Sequence, residues 1–405
     1  MEEPNMILDS FVSMWWITLA AVLSPLLALV VRRVVPDTVW LLAFGVLIGP
    51  HALGLAEQTE AIEFIRELGM GFLFLLAGFE IKTSDMRGKQ GRHAALTWII
   101  CALLGVGAGY LLTQGEWKVA VVLGIASTST ALGTLLPILK DSGVLPTALG
   151  RGVMLHGAYG ELLPIVAMAL LLSTHGTWQA ALLLIAFAVI AAVTVFIPAR
   201  FFRWIPLLGR AFASASNSTM QTTMRISVLI LVSLMLLTAA LELDVALGAF
   251  SAGILINTSV RALDVDLAAE IMHKIEIVGF SLLIPVFFVT TGMAISLQAV
   301  VEQWPLLLGF VAMITMFRGM PVFLREMWTN TQSGLTSVRE KAALGLYSAT
   351  GLPIIVAVTQ VAVSSELIDS EIASVMVTGG AITVLLFPLF AQGLTRQQTV
   401  KEESQ

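Results

Sequence analysis

Apolar residues run along this chain in long blocks, not in stripes with a 2- or 3.6-residue period. Thirteen blocks are long enough, or nearly so, to be read as helices crossing a bilayer: 11–31, 38–54, 62–81, 93–113, 118–139, 147–173, 177–199, 222–241, 245–259, 275–296, 301–324, 342–363 and 371–394. Blocks 38–54 and 245–259 are the shortest or most polar. The predicted class is an all-α integral membrane protein of about thirteen transmembrane helices.

Composition agrees with the pattern. Of 405 residues, 57% are hydrophobic and 12% charged, with a mean hydropathy of +0.91; soluble domains carry about 25% charged residues. The net charge of −5 argues against a nucleic-acid partner. One cysteine, Cys101, excludes an internal disulfide. The start, "MEEPN", is acidic and lacks the basic region of a cleaved signal peptide, so the first block is expected to remain as a helix. With the N-terminus outside, alternate crossings put nineteen of the 22 basic residues on the inner side. They include Arg32, Arg33, Lys82, Arg87, Arg200, Arg203, Arg210 and Arg225. Such asymmetry predicts the N-terminus outside and the C-terminus inside. Residues 395–405 read as a short cytoplasmic tail, and no nucleotide-binding motif accompanies the membrane blocks.

Against this oily background two charges stand well inside blocks, Glu161 and Arg318. A charge at that depth costs a few kcal/mol or more, and intramembrane ionisable residues mark functional sites by default. The alternative is a structural ion pair that clips two helices together. His156 lies five residues before Glu161, about 140° around a helix, and reads as a packing residue. Tyr159 is a similar accessory candidate whose hydroxyl is within reach of the site.

Prolines single out the same region. Each removes the hydrogen bond to the carbonyl four residues earlier: Pro164 frees that of Gly160, Pro137 that of Gly133 and Pro353 that of Ala349. "ASTSTALGTLLPIL" in the fifth block and "YSATGLPIIVAV" in the twelfth share hydroxyl residues, a glycine and a proline inside an apolar run. If the seventh block is a linker, blocks 1–6 and 8–13 are two halves of inverted topology with these stretches at matching places. Interrupted helices at matching positions are the best sequence pointer to a transporter's midplane site; the competing reading is that such small residues only pack helices. A carboxylate among free carbonyls and hydroxyls suits a proton or a small hard cation such as Na⁺, Li⁺ or K⁺. Zinc or copper would call for His and Cys ligands.

Several motifs carry a family likeness: "LLAFGVLIGPHALGL" (41–55), "LGMGFLFLLAGFEI" (68–81), "LGAFSAGILI" (247–256) and "IPVFFVTTGMAISL" (284–297). Together the chain resembles the monovalent cation:proton antiporters of the Kef and NapA type over about residues 11–394. The resemblance implies the sodium–proton antiporter fold, a homodimer in a lipid bilayer, and no cofactor, the exchanged ions being substrates. It implies a core of helices about 62–173 and 275–394 and a dimer scaffold of about 11–54 and 177–259. Two unwound helices would cross at the ion site, around Thr128, Ser129 and Thr130 in one and Ser348 and Thr350 in the other. The family's acidic pair, ten residues after Leu-Gly-Arg, falls on Gly160 and Glu161, and its basic residue on Arg318 in "TMFRGMPVF". Glycine thus stands where the family often has its first aspartate, glutamate at the second, and arginine where lysine is usual.

The expected function is secondary transport. Glu161 takes a proton or a monovalent cation in turn, one for one and electroneutral, with Gly160 beside it and Arg318 pairing with it or holding the broken helices. Burial and a neighbouring cation act in opposite senses on such a carboxylate. The alternatives are a carrier of an organic ion on the same fold, or a non-transporting membrane component in which Glu161 and Arg318 form a structural pair and Gly160 leaves open space. The expected setting is a prokaryotic plasma membrane. No nucleophile–base spacing, metal cluster or phosphate loop suggests an enzyme.

Overall fold

The computed structural model describes residues 6–31, 35–81, 86, 88–171, 178–179, 182–191, 221–261 and 265–402. Residues 177, 180–181 and 192–199 of the seventh block lie outside them, as do Arg32, Arg33, Lys82, Arg87, Arg200, Arg203 and Arg210. The described residues are helical throughout, with connecting turns. In chain order the helices are α1 (Met6–Val30), α2 (Asp37–Ile48), α3 (Glu60–Glu80), α4 (Lys89–Leu112), α5 (Trp117–Ser127), α6 (Leu132–Asp141) and α7 (Ala148–Leu171). There follow α8 (Leu182–Ala191), α9 (Gln221–Ala240), α10 (Val245–Arg261), α11 (Val265–Met293), α12 (Leu297–Glu302) and α13 (Trp304–Trp328). The last three are α14 (Val338–Ser348), α15 (Pro353–Ser364) and α16 (Ser370–Glu402).

Among the described residues nine helical segments are long and apolar enough to cross a membrane, and α2, α8 and α10 are shorter apolar helices. The apolar block 62–81 is covered by α3, whose first turns carry Glu60, Glu63, Arg66 and Glu67. Two of the nine segments contain a break. The fifth block divides into α5 and α6 around residues 128–131, and the twelfth into α14 and α15 around 349–352. Pro353 is the first residue of α15, where its missing N–H is harmless. Pro137, by contrast, lies inside α6, after the break. The C-terminal helix continues past residue 394 to Glu402, so most of the expected tail is helical.

The chain divides into two compact units. One contains residues 64–81 and 173–287. Its helices approach closely through glycine: a Cβ on Gly78 would lie 2.1 Å from the Phe250 carbonyl oxygen, and one on Gly253 2.1 Å from that of Leu75. Buried Asn257 closes the same crossing by donating Nδ2–H to the Ile81 carbonyl at 3.2 Å, while Arg261 Nε donates to Asn257 Oδ1 at 2.6 Å.

The other unit contains residues 1–63, 82–172 and 288–405, and every candidate site residue lies in it. Here α4 packs on α5, α7 on α14, α14 on α16, and α15 on α5. A core of Leu135, Leu139, Val153, Val322, Leu344 and Tyr347, none more than 8% exposed, fills the space among α6, α7, α13 and α14. This core fixes the broken helices from one side and leaves their interrupted ends facing α7 and α13.

Candidate functional site

The break at 128–131 begins where α5 runs out of carbonyl partners. Ser127, Thr128 and Ser129 each turn their hydroxyl back to a carbonyl three residues earlier, at 2.9, 3.0 and 2.8 Å. Hydroxyl residues compete with the helical ladder in this way, and three in succession end it. The liberated peptide groups find partners elsewhere. Thr130 N–H donates to the Gly160 carbonyl at 3.0 Å, and Ala131 N–H to the Thr350 carbonyl at 2.7 Å. Gly160 has that carbonyl to offer because Pro164 cannot donate to it. The proline on α7 thus supplies the acceptor that holds open α5–α6.

The second break meets the first directly. Thr130 Oγ1 donates to the Ser348 carbonyl at 2.5 Å. A Cβ on Gly351 would lie 2.5 Å from Ser129 Oγ, so only glycine permits the approach. Thr350 Oγ1 donates to the Leu346 carbonyl at 3.2 Å. On α16, Thr383 Oγ1 accepts from Gly351 N–H at 3.3 Å and donates to the Gly380 carbonyl at 2.7 Å. Thr383 therefore stands to the second break as α7 stands to the first. Nothing in the sequence marks it except its position in the helix that follows the break.

Arg318 sits in a π-helical turn, Thr315–Gly319, within α13, and is fully buried. Such turns recur at functional positions because they re-aim side chains. The guanidinium is spent on neutral oxygens: Nη2 donates to the His156 carbonyl at 2.7 Å and to Thr130 Oγ1 at 2.9 Å, and Nε to the Ser348 carbonyl at 3.1 Å. Nη1 finds no protein partner. No ion pair joins Arg318 to Glu161 among the described residues; of the two roles expected of Arg318, its bonds here fit the holding of the broken helices. The reason is geometric: the fork is already held by carbonyls from α7 and α14 and by the Thr130 hydroxyl.

Glu161 is 3% exposed. Its Oε1 accepts the N–H of Leu132, the first residue of α6, at 2.6 Å, and the Gly133 amide faces the same carboxylate. Its Oε2 has no protein partner. A carboxylate at a helix N-terminus meets unsatisfied N–H groups and the positive end of the dipole. Among the described hydroxyls of the predicted site, Ser348 Oγ is fully buried and likewise has no protein partner.

Most of the expected residues thus belong to one knot. Thr130, Gly160, Ser348, Thr350, Arg318 and Glu161 are joined by the bonds just given, and Thr128 and Ser129 form the same break. Thr130 Oγ1 donates once and accepts twice from Arg318, at 2.9 and 3.2 Å, so in this structure its hydrogen-bonding capacity is filled by the two breaks and Arg318. Two expectations change. Tyr159 turns away: its hydroxyl donates to the Met86 carbonyl at 3.1 Å. Gly160 leaves no void, since a Cβ there would lie 2.3 Å from Thr130 Oγ1 and 2.6 Å from Arg318 Nη2. His156 contributes its backbone carbonyl to Arg318, and its Nδ1 has no protein partner.

The comparisons with known proteins agree with this architecture. Residues 18–401 match the family model described as "Sodium/hydrogen exchanger, transmembrane". The chain is 23% identical over 312 residues to a protein named probable Na(+)/H(+) antiporter GerT of Bacillus cereus, covering 76% of this chain and 80% of that one. It is 25% identical over 295 residues to the Na(+)/H(+)-K(+) antiporter GerN of the same organism, covering 71% and 73%. Other relatives are longer: the chain spans 64% of the putative antiporter YjbQ of Bacillus subtilis and 42% of NhaS5 of Synechocystis. The fold is that of the sodium proton antiporter MjNhaP1 of Methanocaldococcus jannaschii, with a TM-score of 0.68, 20% identity, and coverage of 95% of this chain and 97% of that one. The matched family is one of transporters, not enzymes, and its members work on ions without a cofactor. With a family model matched along nearly its whole length and the fold to go with it, this chain belongs to the transmembrane sodium/hydrogen exchanger family of integral membrane proteins.

Proposed function

We propose that this protein is a secondary antiporter that exchanges protons for a monovalent cation, Na⁺, Li⁺ or K⁺, by alternating access, with Glu161 as the shared seat. The carrying observation is a fully enclosed carboxylate, at the meeting of two broken helices, with one oxygen left unpartnered. Names of relatives in both Na⁺/H⁺ and K⁺ classes support the substrate range. Either load neutralises Glu161, so the loaded carrier crosses the barrier, whereas the empty, charged form meets the desolvation cost and stays. That difference couples the two fluxes. One titrating carboxylate exchanges one proton for one cation, and the cycle is electroneutral.

Around this site, helices of about 62–173 and 275–394 form the transporting core, and those of about 11–54 and 177–259 the scaffold of a homodimer. The thirteen-crossing count, with the N-terminus outside and C-terminal residues 395–405 on the cytoplasmic side of a prokaryotic plasma membrane, rests on the charge asymmetry of the sequence.

The test is proton flux into proteoliposomes, read with a pH-sensitive dye, for each alkali cation. Wild type exchanges at least one of them at a rate independent of an imposed membrane potential, and Glu161→Gln exchanges none while eluting as folded protein. Full-speed exchange by Glu161→Gln refutes the seat, and a potential-dependent wild-type rate refutes the 1:1 stoichiometry. The rival reading of a structural Glu161–Arg318 clip has no ion pair to rest on in this structure. An organic-ion carrier predicts no proton release when alkali cations are added to purified protein.

A further inference from the structure

The two oxygens of Glu161 do different things, and this deepens the reading of Glu161 as the exchange seat, on which it rests. We propose that Oε2 alone is the seat that proton and cation occupy by turns, and that Oε1 is a tether held by the Leu132 amide at the start of α6. Leu132 then contributes a positioning N–H to the exchange site through its backbone.

Four observations carry this. The Leu132 N–H to Oε1 distance of 2.6 Å is short, and the bond is charge-assisted when Glu161 is ionised. The Gly133 amide faces the same carboxylate, so α6 presents its first turn to it. Oε2 is buried without a protein partner, so it is the carboxylate oxygen that the protein itself does not engage. Finally, the start of α6 is seated closely on α7: the Leu132 side chain fills the place of a Cβ on Gly157, which would lie 2.2 Å from it, and Thr130 N–H donates to the Gly160 carbonyl one residue from Glu161. The side-chain length matters for the same reason. Aspartate would fall about one C–C bond, roughly 1.5 Å, short of the amide.

The consequence is a direct link between load and structure. A proton on Oε2 leaves a neutral acid whose Oε1 is a weaker acceptor, and the hold on α6 slackens. A bound cation leaves the carboxylate anionic, and the hold persists. The two loaded forms differ at the first turn of α6 although both are neutral overall. It follows that the tether favours the cation-loaded over the protonated seat, and its loss raises the apparent KM for the cation without abolishing turnover.

The experiment replaces Leu132 by its α-hydroxy acid, so that an ester oxygen takes the place of the N–H and the side chain is kept. Flux in proteoliposomes is measured against Na⁺, Li⁺ and K⁺ concentration, beside wild type, Glu161→Gln, Glu161→Asp and the ester combined with Glu161→Asp. Loss of a hydrogen bond to a charged group predicts an apparent KM about tenfold higher in the ester protein, with kcat within about threefold of wild type. Glu161→Asp shows the same KM rise, and the combined protein rises no further, because both changes remove one interaction. Unchanged KM in the ester protein, or additive effects in the combined protein, overturns the tether while the seat stands. If the ester protein does not fold, Leu132→Pro deletes the same N–H at a helix position that accepts proline, and the same outcomes decide. Exchange by Glu161→Gln at the wild-type rate removes the seat itself, an outcome distinct from failure of the tether.

Discussion

Replacing Gly160 by alanine adds one methyl group at the most crowded point of the crossing. The new Cβ would stand 2.3 Å from Thr130 Oγ1, 2.7 Å from Thr130 Cβ and 2.6 Å from Arg318 Nη2. None of these neighbours is a free side-chain end. Thr130 is fixed on both sides by its bonds to the Ser348 carbonyl and the Gly160 carbonyl, and Arg318 by the His156 and Ser348 carbonyls. Overpacking of this kind costs about 1–3 kcal/mol. Moving Nη2 away also loses a hydrogen bond to a charged group, about 1.5–3 kcal/mol more. We therefore expect Gly160→Ala to destabilise the protein by about 3–5 kcal/mol. The assay is thermal unfolding in detergent, followed by fluorescence-detected size exclusion, with exchange measured on the same preparation. Gly107→Ala on α4 is the control, since a Cβ there meets nothing within 4 Å and alanine is the better helix former. Gly160→Ala should melt several degrees below Gly107→Ala and exchange poorly. Equal melting temperatures would refute the crowding argument, and with it the claim that arginine fills the space beside Glu161.

Two further outcomes follow from the structure. Asp244, in the turn before α10, accepts the Ala246 N–H at 2.7 Å, and burial, helped by the Glu67 charge, pushes its pKa up from 3.8 to about 6. The folded protein binds the extra proton between those values, so this group's contribution to stability falls as pH rises from about 4 through 6 and stays lower above; Asp244→Asn, which keeps a capping oxygen, should flatten that slope and gain about 1–2 kcal/mol at pH 7.5, after discounting for partial exposure, in melting curves taken across pH. Thr383→Val removes the hydroxyl that meets Gly351 N–H and should slow proton flux several-fold, with Thr383→Ser near wild type, because one buried N–H is left unpaired at about 1–3 kcal/mol; equal flux in both variants would count against a role for α16 at the break.

The legible parts of the molecule were those written in composition and punctuation. Blocks of apolar residues mark the helices, and hydroxyl residues mark the breaks: Ser127, Thr128 and Ser129 in succession turn onto carbonyls at the first, and Thr350 alone does so at the second. Pro164 pointed to the carbonyl of Gly160, which proves to be the acceptor for Thr130 N–H. What the sequence does not carry is the destination of groups with no local signature. A backbone amide at Leu132, a carbonyl at His156 and a hydroxyl at Thr383 are ordinary residues until the tertiary fold brings a partner to them. Gly160 misled for a related reason: a missing side chain reads as vacancy, yet here the emptiness at 160 is what admits a side chain reaching in from α13.

That substitution of one group for another explains how a buried acid and a buried base lie in one knot without pairing. Each charge is solvated by backbone of the opposite polarity. The guanidinium of Arg318 lies against the Ser348 carbonyl, at the C-terminal end of α14, and the carboxylate of Glu161 lies against the N–H groups that open α6. Had the two been paired, every protonation of Glu161 would leave an uncompensated cation in the membrane, at a cost of several kcal/mol. Arg318 instead spends Nε and Nη2 on the His156 and Ser348 carbonyls and the Thr130 hydroxyl, so under the proposed exchange the loading and unloading would fall on one carboxylate with no bond of Arg318 to break. The glycine at 160 and the arginine at 318 are thus two halves of a single arrangement. A carboxylate restored at 160 alone would meet the guanidinium already in its place, and would tie up as an ion pair the charge that the present arrangement keeps apart from Glu161.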